Sequence, residues 1–288
     1  MGEVVGIEQG MRRMTEAAAI RFLEIGCRSI SRSLDFYRGL LGFRPVAEEP
    51  GVCWLDAGKA MLKLVEVPTG DLGGWAADDL QCGMRHFGMR VGDVDAHAAR
   101  LREAGVAFTT EPRDAHGGVR IAFFTDPDGA LLELVAGSVE HDEVCAPELV
   151  ERDRALHASL TPESDPVFDH VAVTAPDMEQ ALDFYVRAAG AEVIGRLRFE
   201  DDPRGLVITN LQLGPARLEL LSFTRDTDPN PWNAGQARLG LRTLGFTVTE
   251  HRSAVETLTQ AGAGAVMRPS PDPLLIDPDG LPLTVTTR

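Results

Sequence analysis

The chain has 288 residues, 44% of them hydrophobic, and carries 44 Asp and Glu against 28 Lys and Arg for a net charge of −16. This composition supports a buried core, excludes a disordered chain and, at this length, suggests two domains. A mean hydropathy of −0.08, with no apolar run near the ~20 residues that span a bilayer, excludes a membrane protein, and the acidic balance argues against nucleic-acid binding, which needs a basic surface.

Residues 1–19 hold Glu3, Glu8, Arg12 and Arg13 and no uninterrupted apolar core, so they read as a loose tail and not as a secretion signal. Phe22–Ile25 is a β-favouring run. It is followed by a helical pattern containing Phe36-Tyr37 and closed by Gly42. Strands are predicted at 44–48, 51–57 and 60–66. The pattern then restarts with a strand at 86–91, a helix at 94–103 ended by Gly105, and strands at 106–110, 119–125 and 131–135. Residues 138–167 carry eight acidic residues against Arg152 and Arg154. They read as a solvated acidic linker with one helix over 147–160, Pro147 standing at its start.

The second half begins with a strand at Val171–Thr174 and a helical pattern around Phe184-Tyr185 that ends at Gly190. Strands are predicted at 191–200, 204–213 and 215–222, then a strand at 242–248, a helix at 252–261 and strands at 264–268, 274–276 and 282–287. The chain is therefore two copies of one unit. Leu34-Asp35-Phe36-Tyr37 returns as Leu182-Asp183-Phe184-Tyr185, and Asp126-Pro127-Asp128-Gly129 returns as Asp277-Pro278-Asp279-Gly280. The two DPDG segments read as tight turns in which Gly129 and Gly280 take positive φ. The first domain spans 20–137, with modules 20–66 and 85–137, and the second spans 168–288, with modules 168–222 and 240–288. Each module is βαβββ, so the fold class is α+β. Cys27, Cys53, Cys82 and Cys145 form no CxxC pair. They read as reduced, mostly buried thiols of a cytoplasmic protein.

Four βαβββ modules, LDFY on the first helix and DPDG before the last strand together resemble the vicinal oxygen chelate superfamily in its duplicated form. That superfamily includes glyoxalase I, extradiol dioxygenases and the bleomycin and fosfomycin resistance proteins. The resemblance covers nearly the whole chain outside the tail and linker. It implies two glyoxalase-like domains with cupped mixed sheets and the helices outside, in which two modules pair into a cupped sheet holding a divalent metal. Each module would offer one ligand near the start of its first strand and one on its last strand.

In module one these slots fall on Phe22 and Lys63, in module two on His86 and Glu133, in module three on His170 and Glu219, and in module four on Thr243 and Thr284. Modules two and three thus each keep a His and a Glu, and modules one and four keep neither. Pairing module two with three gives one complete ligand set (His86, Glu133, His170 and Glu219) and leaves one and four around an empty cup. Two imidazoles and two carboxylates suit one divalent ion of Ni, Co, Zn, Mn or Fe. Phe22 reads as packing, Thr243 and Thr284 as ordinary β-formers, and Lys63 as a solvent-facing cation or a partner for Glu24.

The resemblance implies a lyase or isomerase of glyoxalase I type acting on a small molecule with vicinal oxygens. Glu133 or Glu219 would carry a proton through an enediolate. The alternatives are an extradiol-type dioxygenase and a metal-free drug-binding or resistance protein. No single basic cluster stands out for an anionic substrate, and the candidates are Arg21, Arg28, Arg85, Arg90, Arg120 and Arg242. The connections 67–82 and 223–239, which hold Trp75 and Trp232, are long enough to close over a ligand. The expected partner is a small molecule, with no nucleic acid and no membrane, for a monomer or homodimer.

Overall fold

A computed structural model describes residues 18–233, 236–266 and 274–287. Module one comprises β1 (Ala19–Cys27), α1 (Ile30–Tyr37), β2 (Arg44–Glu49), β3 (Val52–Asp56) and β4 (Met61–Glu66). Module two comprises β5 (Gly83–Arg90), α2 (Val94–Glu103), β6 (Phe108–Ala115), β7 (Val119–Thr125) and β8 (Leu131–Ala136). The segment between the halves forms β9 (Glu143–Val144) and α3 (Pro147–Ser159). Module three comprises β10 (Val167–Thr174), α4 (Met178–Leu182) running into a π-helical turn (Asp183–Ala188), β11 (Glu192–Arg198), β12 (Val207–Leu213) and β13 (Ala216–Ser222). Module four comprises β14 (Gly240–Val248), α5 (His251–Gln260), β15 (Gly264–Val266), β16 (Leu274–Ile276) and β17 (Pro282–Thr287).

The strands form two sheets, and the sheets cross the sequence halves. One has the order β15-β16-β17-β14-β1-β4-β3-β2 and joins modules four and one. The other has the order β6-β7-β8-β5-β10-β13-β12-β11-β9 and joins modules two and three. The joints are the antiparallel pairs β1–β14 and β5–β10. These central strands are buried almost end to end, because helices cover one face of each sheet and a cup occupies the other.

A different contact holds each sequence half together. Tyr37 of LDFY donates to Asp126 of DPDG at 2.9 Å, and Tyr185 donates to Asp277 at 2.6 Å. The Asp126 and Asp277 carboxylates also accept backbone N–H groups from within their own turns. Gly129 and Gly280 close those turns with φ of 94° and 86°. Strand pairing therefore ties module one to four and two to three, while the Tyr–Asp pairs tie one to two and three to four. A single hydrophobic cluster runs through all four modules, including Phe36, Phe87, Phe184 and Phe246.

Three expectations change. Most of the expected tail lies outside the described residues, but Ala18 and Ala19 are buried: Ala18 donates its N–H to Ala189 and Ala19 opens β1. The linker is not simply solvated. β9 adds a strand to β11, Ala146 and Leu149 pack on Ile194, and Asp153 is buried. The long connections lace to one another, Leu239 N–H donating to Asp71 and Cys82 N–H to Asp228, and Trp75 Nε1 anchors the first of them to Met84 at the start of β5. Cys27, Cys53 and Cys82 are buried free thiols and Cys145 is an exposed one. Among the described residues no helix is long and apolar enough to cross a membrane.

Candidate metal centre

The crosswise sheet of modules two and three brings His86, Glu133, His170 and Glu219 together. The register explains how. His170 on β10 lies opposite Gly88 on β5, and Ala172 lies opposite His86. Glu219 on β13 lies beside Ala172, and Glu133 on β8 lies beside Gly88. Paired residues share a face, and residues two apart along a strand share it too, so all four side chains project into the cup. A Cβ at Gly88 would fall inside the His170 imidazole. The missing side chain is what lets that ring lie across the neighbouring strand.

The ring atoms His86 Nε2 and His170 Nε2 stand 3.1 Å apart. Glu133 Oε2 is 3.3 Å from the first and 3.1 Å from the second. Glu219 Oε2 is 3.9 Å and 3.7 Å away from them. His86, His170 and Glu219 offer donor atoms that all lie within 4.8 Å of one another, the arrangement of a group that can hold a metal ion. Two ligands each about 2.1 Å from one ion at a right angle lie about 3 Å apart, which matches the spacing of the two imidazole nitrogens. The donor set therefore fits a divalent cation.

The electrostatics follow from crowding. Burial raises the Glu133 carboxyl, but hydrogen bonds from His170 and His86 more than reverse this and hold it well below the usual range. Burial raises Glu219, with the His170 charge opposing and the Glu133 charge adding. Burial disfavours the His170 cation, but Glu219, Asp169 and Glu133 outweigh it and push His170 up to about 10.

A layer of residues holds His170 in place, of which the sequence reading named only Arg90, and that as a candidate for an anionic substrate. His170 Nδ1 lies 3.1 Å from Asp169 Oδ2, which keeps one proton on Nδ1, so that the proton lost on binding a metal is the one on Nε2, the nitrogen facing the other ligands. Asp169 can reach the ring beside it because the β5–β10 register shifts between Phe168 and His170, a bulge that turns two successive side chains toward one side. Lys59 at 3.1 Å, Arg90 at 3.2 Å and Arg217 at 3.7 Å surround Asp169. Together these cations overcome the cost of burial and keep its carboxyl well below the ordinary range. Asp153 of α3 pairs with Arg90 at 3.0 Å and also with Arg217.

Of the candidate anion-binding arginines, five are engaged elsewhere. Arg28 pairs with Asp128, Arg85 donates to backbone carbonyls under Trp75, Arg90 holds Asp153 and Asp169, Arg120 holds Asp95 and Asp114, and Arg242 holds Glu24. Arg21 is exposed. The walls of the cup are apolar instead. Val119, Ile121 and Val135 form a cluster with Phe123 on one side, and Ala172, Leu206 and Leu221 form one with Ile208 on the other. Phe123 meets the His86 ring edge-on at 5.0 Å.

The second cup has the same backbone and different chemistry. Phe22 lies opposite Gly245, Glu24 opposite Thr243, Lys63 beside Glu24, and Thr284 beside Gly245. Phe22, Thr243, Lys63 and Thr284 thus occupy the positions of His170, His86, Glu219 and Glu133. A Cβ at Gly245 would fall inside the Phe22 ring, as one at Gly88 would inside His170. Glu24 takes the position of Ala172 and sits between Lys63 and Arg242, each at 2.9 Å. Lys63 therefore pairs with Glu24 rather than standing alone in solvent.

Four βαβββ modules arranged around a His-His-Glu-Glu cup define a protein of the vicinal oxygen chelate fold. The chain belongs to the Glyoxalase/Bleomycin resistance protein/Dioxygenase superfamily, whose family models match residues 19–134 and 169–273. It is 24% identical over 212 residues to a probable chloroplastic lactoylglutathione lyase of Arabidopsis thaliana, an alignment covering 70% of this chain and 52% of that protein. It is 23% identical over 206 residues to the catechol-2,3-dioxygenase of Bacillus subtilis, covering 64% of this chain and 69% of that one. The chain spans just over half the length of the two Arabidopsis thaliana lactoylglutathione lyases it matches (52% and 57%). Glyoxalase I of Zea mays shares the fold at a TM-score of 0.67 and 18% identity, over 93% of this chain and 92% of that one.

Proposed function

We propose that the protein is a divalent-metal-dependent lyase or isomerase of glyoxalase I type. It acts on a small molecule with vicinal oxygens at one site between modules two and three. The observation that carries this reading is the convergence of His86, Glu133, His170 and Glu219 from both sequence halves on one point of one sheet. The relatives named as lactoylglutathione lyases support it.

His86, His170, Glu133 and Glu219 would hold the metal, which when bound supplies a positive charge against oxygens that become negative during the reaction. The protein supplies the rest. Asp169 keeps the His170 lone pair on Nε2. The apolar walls exclude water from the substrate carbon. Glu219 stands farther from both imidazoles than Glu133 and is more open to the cup, with 16% against 8% side-chain exposure. It is the carboxylate freer to take a proton from that carbon and return it to the neighbouring one, carrying the substrate through an enediolate.

A second reading rests on the trio His86, His170 and Glu219, which is also the two-His-one-carboxylate set of iron dioxygenases. One experiment separates the two. Metal-loaded protein is offered the glutathione hemithioacetal of a 2-oxoaldehyde, and separately a catechol, while solvent proton exchange and oxygen uptake are recorded. Exchange without oxygen uptake is expected. Oxygen uptake with ring cleavage would establish the second reading, and neither activity in metal-loaded protein would contradict both.

A further inference from the structure

The charge network beneath His170 does not balance. Lys59, Arg90 and Arg217 bring three cations to two carboxylates, Asp153 and Asp169. The two arginines and both aspartates are buried. Arg90 and Arg217 each also keep a buried Nε with no hydrogen-bond partner. Charge and donors are both in excess, and a buried cation or N–H without a partner is costly.

Beside this network lies a cavity of about 250 Å³. Lys59, Asp153 and Arg217 border it from the network, Gln212 from β12 and Arg152 from α3. Among the described residues Arg152 has no ion-pair partner. The lining thus sets Lys59, Arg152 and Arg217 against Asp153 alone. A chain of net charge −16 repels anions at long range, so a pocket of the opposite sign here is a local feature of the fold. Sites for drug-sized ligands run from about 300 Å³ upward, so this cavity suits a small ion better than a nucleotide.

We propose that this cavity binds a small oxyanion of the phosphate type, held by the cations Lys59, Arg152 and Arg217 that border it. The site is distinct from the metal cup. Its ligand supplies negative charge to the cations Lys59 and Arg217, which border both the network and the cavity. Lys59 comes from module one, Arg152 from the connecting helix and Arg217 from module three, so the anion would bridge the two sheets and the segment between the halves.

The full chain is titrated with potassium phosphate against potassium chloride at matched ionic strength, by calorimetry and thermal unfolding. EDTA is present so that phosphate cannot act through a bound metal. Saturable binding near one per chain and a raised Tm specific to phosphate are expected. Arg152→Glu, on an exposed helix position where the fold is retained, should weaken binding about tenfold or more, and Lys59→Met should do the same. Glycerol phosphate in a parallel titration separates the sources: binding weaker than inorganic phosphate means an enclosed free ion, and equal binding means the phosphate end of a larger molecule. Absence of saturable binding over chloride, or an Arg152→Glu affinity equal to wild type, would overturn the proposal.

Discussion

The two cups are built on one backbone and differ in a handful of side chains. In each, a strand pairs antiparallel with its counterpart across the sequence halves, and a glycine on one strand makes room for a ring on the other. In one cup that ring is His170 and its neighbours are His86, Glu133 and Glu219. In the other the ring is Phe22, packed edge-on against Trp54 at 5.1 Å, and Lys63 stands where the first cup has Glu219. The first cup gathers donors whose negative charge calls for a cation. The second carries its own cations, Lys63 and Arg242, and pairs both of them with Glu24. The duplication preserved the architecture that aims side chains and let the chemistry at those positions diverge.

If this contrast is right, damage to the two cups has different consequences. The largest effect should come from Arg90→Met, which strips Asp153 and Asp169 of a shared, fully buried partner. Stability should fall by about 3–5 kcal/mol, the usual result of breaking a buried charge pair, as measured by denaturant unfolding. Glu24→Gln in the other cup should cost about 2 kcal/mol, less because Lys63 and Arg242 are partly exposed and can recover hydration. It should leave metal content unchanged, and a loss of metal in that variant would erase the distinction between the cups.

Asp169→Asn tests the support beneath His170. Metal affinity should fall 10- to 100-fold, the usual effect of removing the carboxylate behind a metal-binding imidazole. An unchanged affinity with a lowered Tm would reduce Asp169 to a structural residue. The last test is a pH dependence, graded at each step and read across the neutral range. His170 without metal holds its proton up to about 10, and a ligand imidazole must lose that proton. Binding therefore releases a proton throughout the neutral range, and metal affinity should rise about tenfold per pH unit from 6 to 9. A flat profile would mean that His170 is not a ligand.

The repeats made the fold legible, because LDFY and DPDG mark the same places in each half and the intervening periodicity alternates between 2 and 3.6. The helix at Val94–Glu103 falls where the pattern puts it, between the Asp93 cap and Gly105. The four cup positions were legible through the family resemblance, and the register brings them together. The layer beneath them was not. Asp153 lies 63 residues from Arg90 and 64 from Arg217, and an acidic run reads as solvated until the distant partners that bury it are known. The bulge that turns Asp169 toward His170 leaves no mark on the alternation of apolar residues. One hint was present: Asp169, Arg90 and Arg217 are charged residues inside strands, where such residues are depleted unless paired. The π-helical turn at Asp183–Ala188 had no signal at all, since its sequence repeats that of an ordinary helix in module one.

The central claim is that one metal site is shared between the two halves of the chain. Metal content per chain by elemental analysis tests it most directly, comparing wild type with His170→Ala, Glu133→Ala and Phe22→Ala. The account predicts one equivalent in wild type and in Phe22→Ala, and loss of metal in both His170→Ala and Glu133→Ala, although those two residues come from opposite halves. Equal metal in all four proteins, or loss in only one of the two ligand variants, would contradict it.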